Sequence, residues 1–434
     1  MPRNWTLIAR LSSTVAHVSR NAKVLVIAVF LTVFATQSLQ AQNLSVLYTF
    51  SGYPDGAGPA TPIRDRHGNL YTTTYTGGAY DFGTVVKIGW QGNEEVLHDF
   101  TGGRDGSTPA SSLIMDANGN LFGTTYSGGS QHCFQGYGCG VVYELSPGKN
   151  GWTETILYRF KGGTDGAHPG PGALAFDAEG NLYGTTQNGG GGKCSTNCGV
   201  VYRISPTRWA WKEQVLHAFG VTSQTDGANP YAGVIVDPAG YVYGTTYHGG
   251  NFGFGTVFKI DPSGAETVLY SFTGGADGGG PQAALVSDAD GNLYGPTSYG
   301  GDLSCAAQYP IGCGTIFKVD ASGTETVVHT FIGYPTDGNG PVSTLVRDKA
   351  GNLYGTARGG NSTACLDSNN EPSGCGVVFR LKTNGREAIL HNFSFGPDGT
   401  QPQGVNLVGR TLYGATLEGG PGGGTGTVFK LTGW

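Results

Sequence analysis

Beyond its first forty or so residues, this chain lacks any run approaching the ~18 consecutive apolar residues that a membrane-spanning helix needs. It also lacks a basic stripe or tail, which makes nucleic acid and strongly anionic polymers poor candidate partners. A Gly-x-Ser-x-Gly elbow and a His-Glu-x-x-His pair are both missing, so two familiar hydrolytic motifs are excluded. The run Asp288, Asp290, Asn292 has the flavour of a calcium loop but lacks the twelve-residue spacing and the bidentate Glu, and a hairpin turn explains it better. Glycine, by contrast, is abundant at 77 of 434 residues. It has no one-in-three period, which excludes collagen, and it falls at turns beside alternating apolar runs, which argues against disorder.

What is present is a repeat. An Asp-Gly-x-x-Pro turn occurs seven times, at 55–59, 105–109, 165–169, 226–230, 277–281, 337–341 and 398–402. Each is followed by a strand of the Gly-Asn-Leu-Tyr-Gly-Thr-Thr type, whose aromatic is Tyr71, Phe122, Tyr183, Tyr243, Tyr294, Tyr354 or Tyr413. A Gly-Gly and a Gly-Thr-Val-Phe-Lys strand complete the unit. Such a period marks units that bury their apolar faces only by stacking on neighbours.

Each unit holds four short strand-length runs, for example 268–272, 283–287, 292–297 and 315–318. The position of Ser271 varies freely as Thr49, Asp99, Arg159, Ala218, Thr330 and Asn392, the mark of a face in water and hence of an outermost strand. The run after each Asp-Gly-x-x-Pro carries small residues such as Ala110, Gly172, Gly233 and Ala283, which suit the innermost strand around a crowded channel. Labelled a to d outward, the chain begins with a d strand and ends with a c strand. The expected fold is an all-β, seven-bladed β-propeller of four-stranded antiparallel blades, closed by pairing of the N-terminal with the C-terminal strand.

Arg3, Arg10, Arg20 and Lys23 precede an apolar run at 24–34 and a small, polar stretch to Ala41. This is the layout of a secretory signal peptide over 1–41, with an uncleaved anchor as the open alternative and 42–434 as the propeller. Removing the leader takes away four basic and no acidic residues, moving the formal charge from −6 to −10. Eight cysteines fall as four local pairs: Cys133 with Cys139, Cys194 with Cys198, Cys305 with Cys313, and Cys365 with Cys375. Each pair flanks one insertion between Gly-Gly and the third strand, which favours disulfides over zinc in an exported chain; pairing across repeats stays open.

The G-N-L-Y-G-T-T, Gly-Gly and G-T-V-F-K sequences resemble the GloVer repeat, named for Gloeobacter and Verrucomicrobia, over essentially 44–434. The D-x-x-G-N-L-Y portion is more weakly similar to the NHL repeat of β-propellers. The resemblance implies an exported bacterial repeat protein, and it supplies no reaction and no catalytic residue.

The seven turn aspartates read as architecture, accepting backbone hydrogen bonds while Gly takes positive φ. His98, His217, His329 and His391 alternate with Tyr48, Tyr158 and Tyr270 at one strand position, which points to a packed, hydrogen-bonded ring rather than a metal ligand. What breaks the repeat lies on the face of the Gly-Gly loops. The candidate ligand-binding residues there are Tyr75, Tyr126, Tyr247, His248, Tyr299, Arg358 and Glu418, with Gln187 and Leu417 at equivalent positions. Loop tips add Tyr80, Phe82, Phe134, Tyr137, Phe252, Phe254 and Tyr309. Aromatic rings with a polar end, on glycine-rich loops, suit stacking on sugars; packing of the loops on themselves is the competing account.

The expected function is a secreted, periplasmic or extracellular binding propeller. It is non-enzymatic and monomeric, with no cofactor or metal, and its partner is a neutral glycan or a cell-surface protein. The rival is a glycan-active hydrolase or lyase, drawing acid and base from Asp81, His132, His168, His248, Asp302, Glu371 or Glu418.

Overall fold

A computed structural model describes residues 43–434 except 131–132, 134–135, 193, 195–197, 221–224, 306–311, 361 and 367–372. The leader, and with it His132, Phe134, Tyr309 and Glu371, lies outside the described residues. The unit Gln42–Thr432 is built from seven antiparallel sheets, each ordered a, b, c, d. Among the described residues there is no α-helix. The fourth blade is typical, with strands Ile235–Val236, Val242–Thr246, Thr256–Ile260 and Glu266–Ser271.

The seventh blade closes the ring. Strands Thr400–Val408, Thr411–Glu418 and Thr427–Thr432 supply a, b and c, and Asn43–Thr49 adds d. Its register runs from Asn43 opposite Thr432 to Thr49 opposite Thr427. The Phe50 amide then bonds to Gly426 O at 2.9 Å, and the Thr425 amide to Phe50 O at 2.9 Å.

The repeated letters each have a local cause. In the a-to-b turns, Asp288 Oδ1 accepts the Asp290 and Asn292 amides at 3.0 and 2.9 Å, while Oδ2 accepts Asn292 Nδ2 at 2.8 Å and the Tyr294 hydroxyl at 3.0 Å. The same carboxylate clamp recurs at Asp65, Asp177 and Asp348. The D-x-x-G-N-L-Y signature is thus a hairpin lock, and its Asp has no lone pair left for calcium. The second Thr of strand b shares a hydroxyl bond with the Thr that opens strand c, as in Thr74 with Thr84 at 2.8 Å and Thr416 with Thr427 at 2.9 Å. These pairs are buried, so each hydroxyl satisfies the other.

Blades are joined by an aromatic seam. The Phe that ends each d strand, such as Phe100, Phe160, Phe219 and Phe272, is fully or almost fully buried. In six of the seven blades it meets the next blade's c-strand ring edge-on, with Phe272 and Phe317 centroids 5.0 Å apart. Full burial of each such side chain stabilises by roughly 1.5–3 kcal/mol relative to exposure.

Two details depart from the sequence pattern. Strand d carries one extra residue, Leu269 in the fourth blade, where Val257 faces Tyr270 and Phe258 faces Val268. This bulge interrupts the simple alternation of Val268, Tyr270 and Phe272. Strand a is regular over only two residues in most blades, such as Val286–Ser287. Its small residues let backbones touch near the axis: a Cβ on Gly172 would lie 1.7 Å from Gly233 N. These inner strands line a channel of about 450 Å³.

Candidate functional site

The loop-rich face is shaped by the residue before each turn proline. Thr108, His168, Asn229 and Gln401 all take left-handed φ, at 58°, 57°, 54° and 55°, where Gly58, Gly280 and Gly340 do so without a side chain. Each of these amides donates to a carbonyl of the preceding blade: Thr108 to Phe82 at 2.9 Å, His168 to Cys139 at 2.9 Å, Gln401 to Cys375 at 2.9 Å. The second cysteine of a pair therefore ties one blade to the next. All four expected disulfides are present, with Cα separations of 5.1–5.7 Å, and among the described residues no cysteine is free.

Phe82 and Phe254 stand where other blades have that cysteine. A Cβ on Gly102 would lie 2.6 Å from the Phe82 ring and one on Gly274 2.7 Å from Phe254; at Gly162 and Gly333 the neighbours are the disulfide sulfurs. These two rings plug the seams that disulfides plug elsewhere. Tyr80, Tyr137 and Phe252 are exposed.

The remaining candidates form two groups. Tyr75 ends strand b of the first blade, Leu70–Thr76, and Glu418 ends strand b of the seventh. They meet in a cleft of about 810 Å³ with Phe395 and the glycine run 419–424. Added Cβ atoms on Gly422 and Gly423 would meet nothing within 4 Å, while one on Gly424 would strike Thr49 Cγ2 at 2.4 Å. An adjoining cleft of about 540 Å³ shares Phe395 and Glu418 and adds Arg358, Asn339 and Gln401. Arg358 also lines the central channel; its amide bonds to Asn339 O at 2.9 Å. Tyr75 is 49% and Phe395 58% exposed.

The second group is aromatic. Tyr126 stacks on His168 at 4.5 Å and 9°, and Asn188 Nδ2 lies 2.8 Å from His168 Nδ1. Burial lowers the His168 pKa and raises that of Tyr126, to which Tyr231 and Tyr75 add. Tyr247 packs against His248, Tyr231 and Tyr299 at 4.5, 6.3 and 6.1 Å. Tyr299 is only 8% exposed, and burial, with Tyr247 beside it, pushes its hydroxyl up to about 12. His248 stays exposed at the edge, its pKa lowered by partial burial. Asp81 and Asp302 serve their own loops, accepting the Gly77 amide at 3.0 Å and the Ser304 amide at 2.8 Å.

Sequence reasoning missed Phe395 and Gln401. Phe395 sits in Ser-Phe-Gly-Pro-Asp where two other links, 101–105 and 273–277, read Thr-Gly-Gly-x-Asp, and Gln401 occupies the variable position before proline.

Seven four-stranded antiparallel sheets, one of them sealed by both ends of the described chain, define a β-propeller. The chain belongs to the Gloeobacter/Verrucomicrobia repeat family, whose model matches residues 32–225 and 131–366. No curated protein matches it. Among solved structures it is similar to a streptogramin B lyase, with TM-score 0.53 and 11% identity over 92% of this chain and 99% of that one. A catalytically inactive virginiamycin B lyase from Staphylococcus aureus with quinupristin gives TM-score 0.53 and 15% identity, covering 90% of this chain and 99% of that one. The extracellular domain of a hybrid two-component system from B. thetaiotaomicron gives 0.51 and 9%, covering 90% of this chain and 40% of that one. At these identities the likeness is one of fold.

Proposed function

We propose that this protein is an exported, non-enzymatic binding propeller that holds a neutral glycan in the paired clefts between its sixth, seventh and first blades. The observation that carries the reading is that two exposed rings, Tyr75 and Phe395, line one glycine-rich cleft with Glu418, while Phe395 and Glu418 also line the adjoining cleft with Arg358 and Gln401. Exposed rings stack on the apolar faces of sugars, and the polar groups can bond their hydroxyls. Among the described residues lining the two clefts, Glu418 is the one carboxylate, which favours binding over a two-carboxylate hydrolysis. Four disulfides and the repeat family support an extracellular or periplasmic location.

A glycan-array screen with product analysis on each hit tests this. Replacing Tyr75 and Phe395 together with Ala is expected to weaken binding at least about tenfold, the scale of one lost aromatic contact or two, with an unchanged unfolding midpoint. Asn118→Ala with Asp290→Ala, in the turns of the opposite face, should bind as wild type. Binding that survives the Tyr75 and Phe395 changes moves the site elsewhere, and release of cleaved sugar replaces the binding reading with the hydrolase or lyase one.

A further inference from the structure

At the outer rim, six blade seams gather the same three groups: the d-strand Tyr or His of one blade, the Asp of the following turn, and the first Glu of the next blade's d strand. In three of them the ring is Tyr48, Tyr158 or Tyr270. The Tyr48 hydroxyl donates to Asp55 Oδ2 at 2.7 Å and that of Tyr270 to Asp277 Oδ2 at 3.0 Å, which closes those seams.

The other three carry histidine, and only His329 keeps a hydrogen bond to its turn aspartate, Asp337. His98 Nε2 lies 3.8 Å from Asp105 Oδ2 and 3.5 Å from Glu154 Oε1. His329 Nε2 lies 3.2 Å from Asp337 Oδ2 and 3.9 Å from Glu387 Oε1, and the three donor atoms fall within 4.8 Å of one another. His217 Nε2 is 3.4 Å from Asp226 Oδ2. His98 Nε2 and His217 Nε2 are buried atoms with no hydrogen-bond partner, as are the Oε1 atoms of all six seam glutamates, Glu94, Glu154, Glu213, Glu266, Glu325 and Glu387. The seventh seam is the internal control. Leu44 stands at the Glu position there, and His391 Nε2 closes onto Asp398 Oδ2 at 2.9 Å.

We propose that the seam His329/Asp337/Glu387, whose three donor atoms alone among the described seams fall within 4.8 Å of one another, is a binding site for a divalent transition-metal ion of zinc's size. One imidazole nitrogen with two carboxylate oxygens is a donor set such ions accept, and thiolates cannot compete because the cysteines are oxidised. His329 Nε2 lies 3.2 and 3.9 Å from the two carboxylate oxygens, spacings near those of two ligands each about 2.0–2.2 Å from a shared zinc ion. The carboxylates are aimed from behind: Asp337 Oδ1 accepts the Ile332 and Gly333 amides at 3.1 and 3.0 Å, leaving Oδ2 for the ion. The ion's charge offsets two carboxylates held in one half-buried gap. The His329 side chain keeps 16% exposure, which gives an access path for the ion and for water as a fourth ligand. From sequence these histidines look like packing residues, because tyrosine replaces them elsewhere and the Glu comes from the neighbouring repeat.

The test uses the exported full-length protein, stripped with a chelator, equilibrated with Zn²⁺ and freed of excess. Elemental analysis should find one zinc ion per chain, and zinc should raise the melting temperature of the stripped protein. His329→Gln should remove that zinc, whereas His391→Gln, in the seam where Leu44 stands at the Glu position, should keep it. A wild type without zinc, or a His329→Gln variant that keeps it, overturns the proposal.

Discussion

Glu213 and Glu325 stand in outer seams whose ring is tyrosine. Burial pushes each carboxyl up to about 7, and Asp165 beside Glu213 and Asp277 beside Glu325 add to the rise. The unfolded chain releases these protons near the ordinary value of 4.5, so between about 4.5 and 7 the folded state binds more protons than the unfolded one. Their favourable contribution is complete below 4.5 and is lost as pH rises through 7. Glu213→Gln with Glu325→Gln should therefore stabilise the protein at pH 8, by on the order of 1 kcal/mol per site, since each carboxyl keeps some solvent. At pH 5 the neutral acid and the amide should be nearly equivalent. Urea unfolding at both pH values checks this, and an equal effect at both would remove the charge argument.

The elements were legible wherever one residue enforces one geometry. Asp-Gly-x-x-Pro, the Asp-Asn-Tyr hairpin lock and the Thr-Thr pairs all write their structure into identity, so strands b and c could be placed from letters alone. The bulge at Leu269 could not, because an extra leucine among apolar neighbours changes no pattern. Nor could the clefts, where Tyr75, Phe395 and Glu418 arrive from both ends of the repeat array and meet only when the ring closes. The substitution of a ring for a disulfide was hidden too: Phe254 read as a loop-tip aromatic, but it covers Gly274 and touches Tyr299 at a centroid distance of 6.2 Å. Phe254→Ala should cost about 2 kcal/mol, below the 3–5 of a fully buried ring because Phe254 is only partly covered. Chemical denaturation measures the loss, and an unchanged midpoint would show the ring to be dispensable for the seam.

At the scale of the whole molecule, one strand decides whether the seven blades form a ring. A chain beginning at Gly52 loses strand Asn43–Thr49 and the buried Phe50, leaving Thr427–Thr432 as an open edge. Such a protein should melt lower and associate through that edge. Moving residues 44–50 behind Trp434 on a short linker should recover much of the loss, because the strand regains its neighbour as a hairpin. Light scattering and thermal unfolding of the two variants decide the point, and a truncated form that stays monomeric at the wild-type melting temperature counts against closure. The same pairing sets a timetable. Six blades are complete once their own strands have emerged, whereas Asn43–Thr49, made before all of them, must wait unpaired for Thr427–Thr432. Ring closure is thus the late, long-range step of folding, and every chain cut short of residue 427 carries an apolar strand that still seeks a partner.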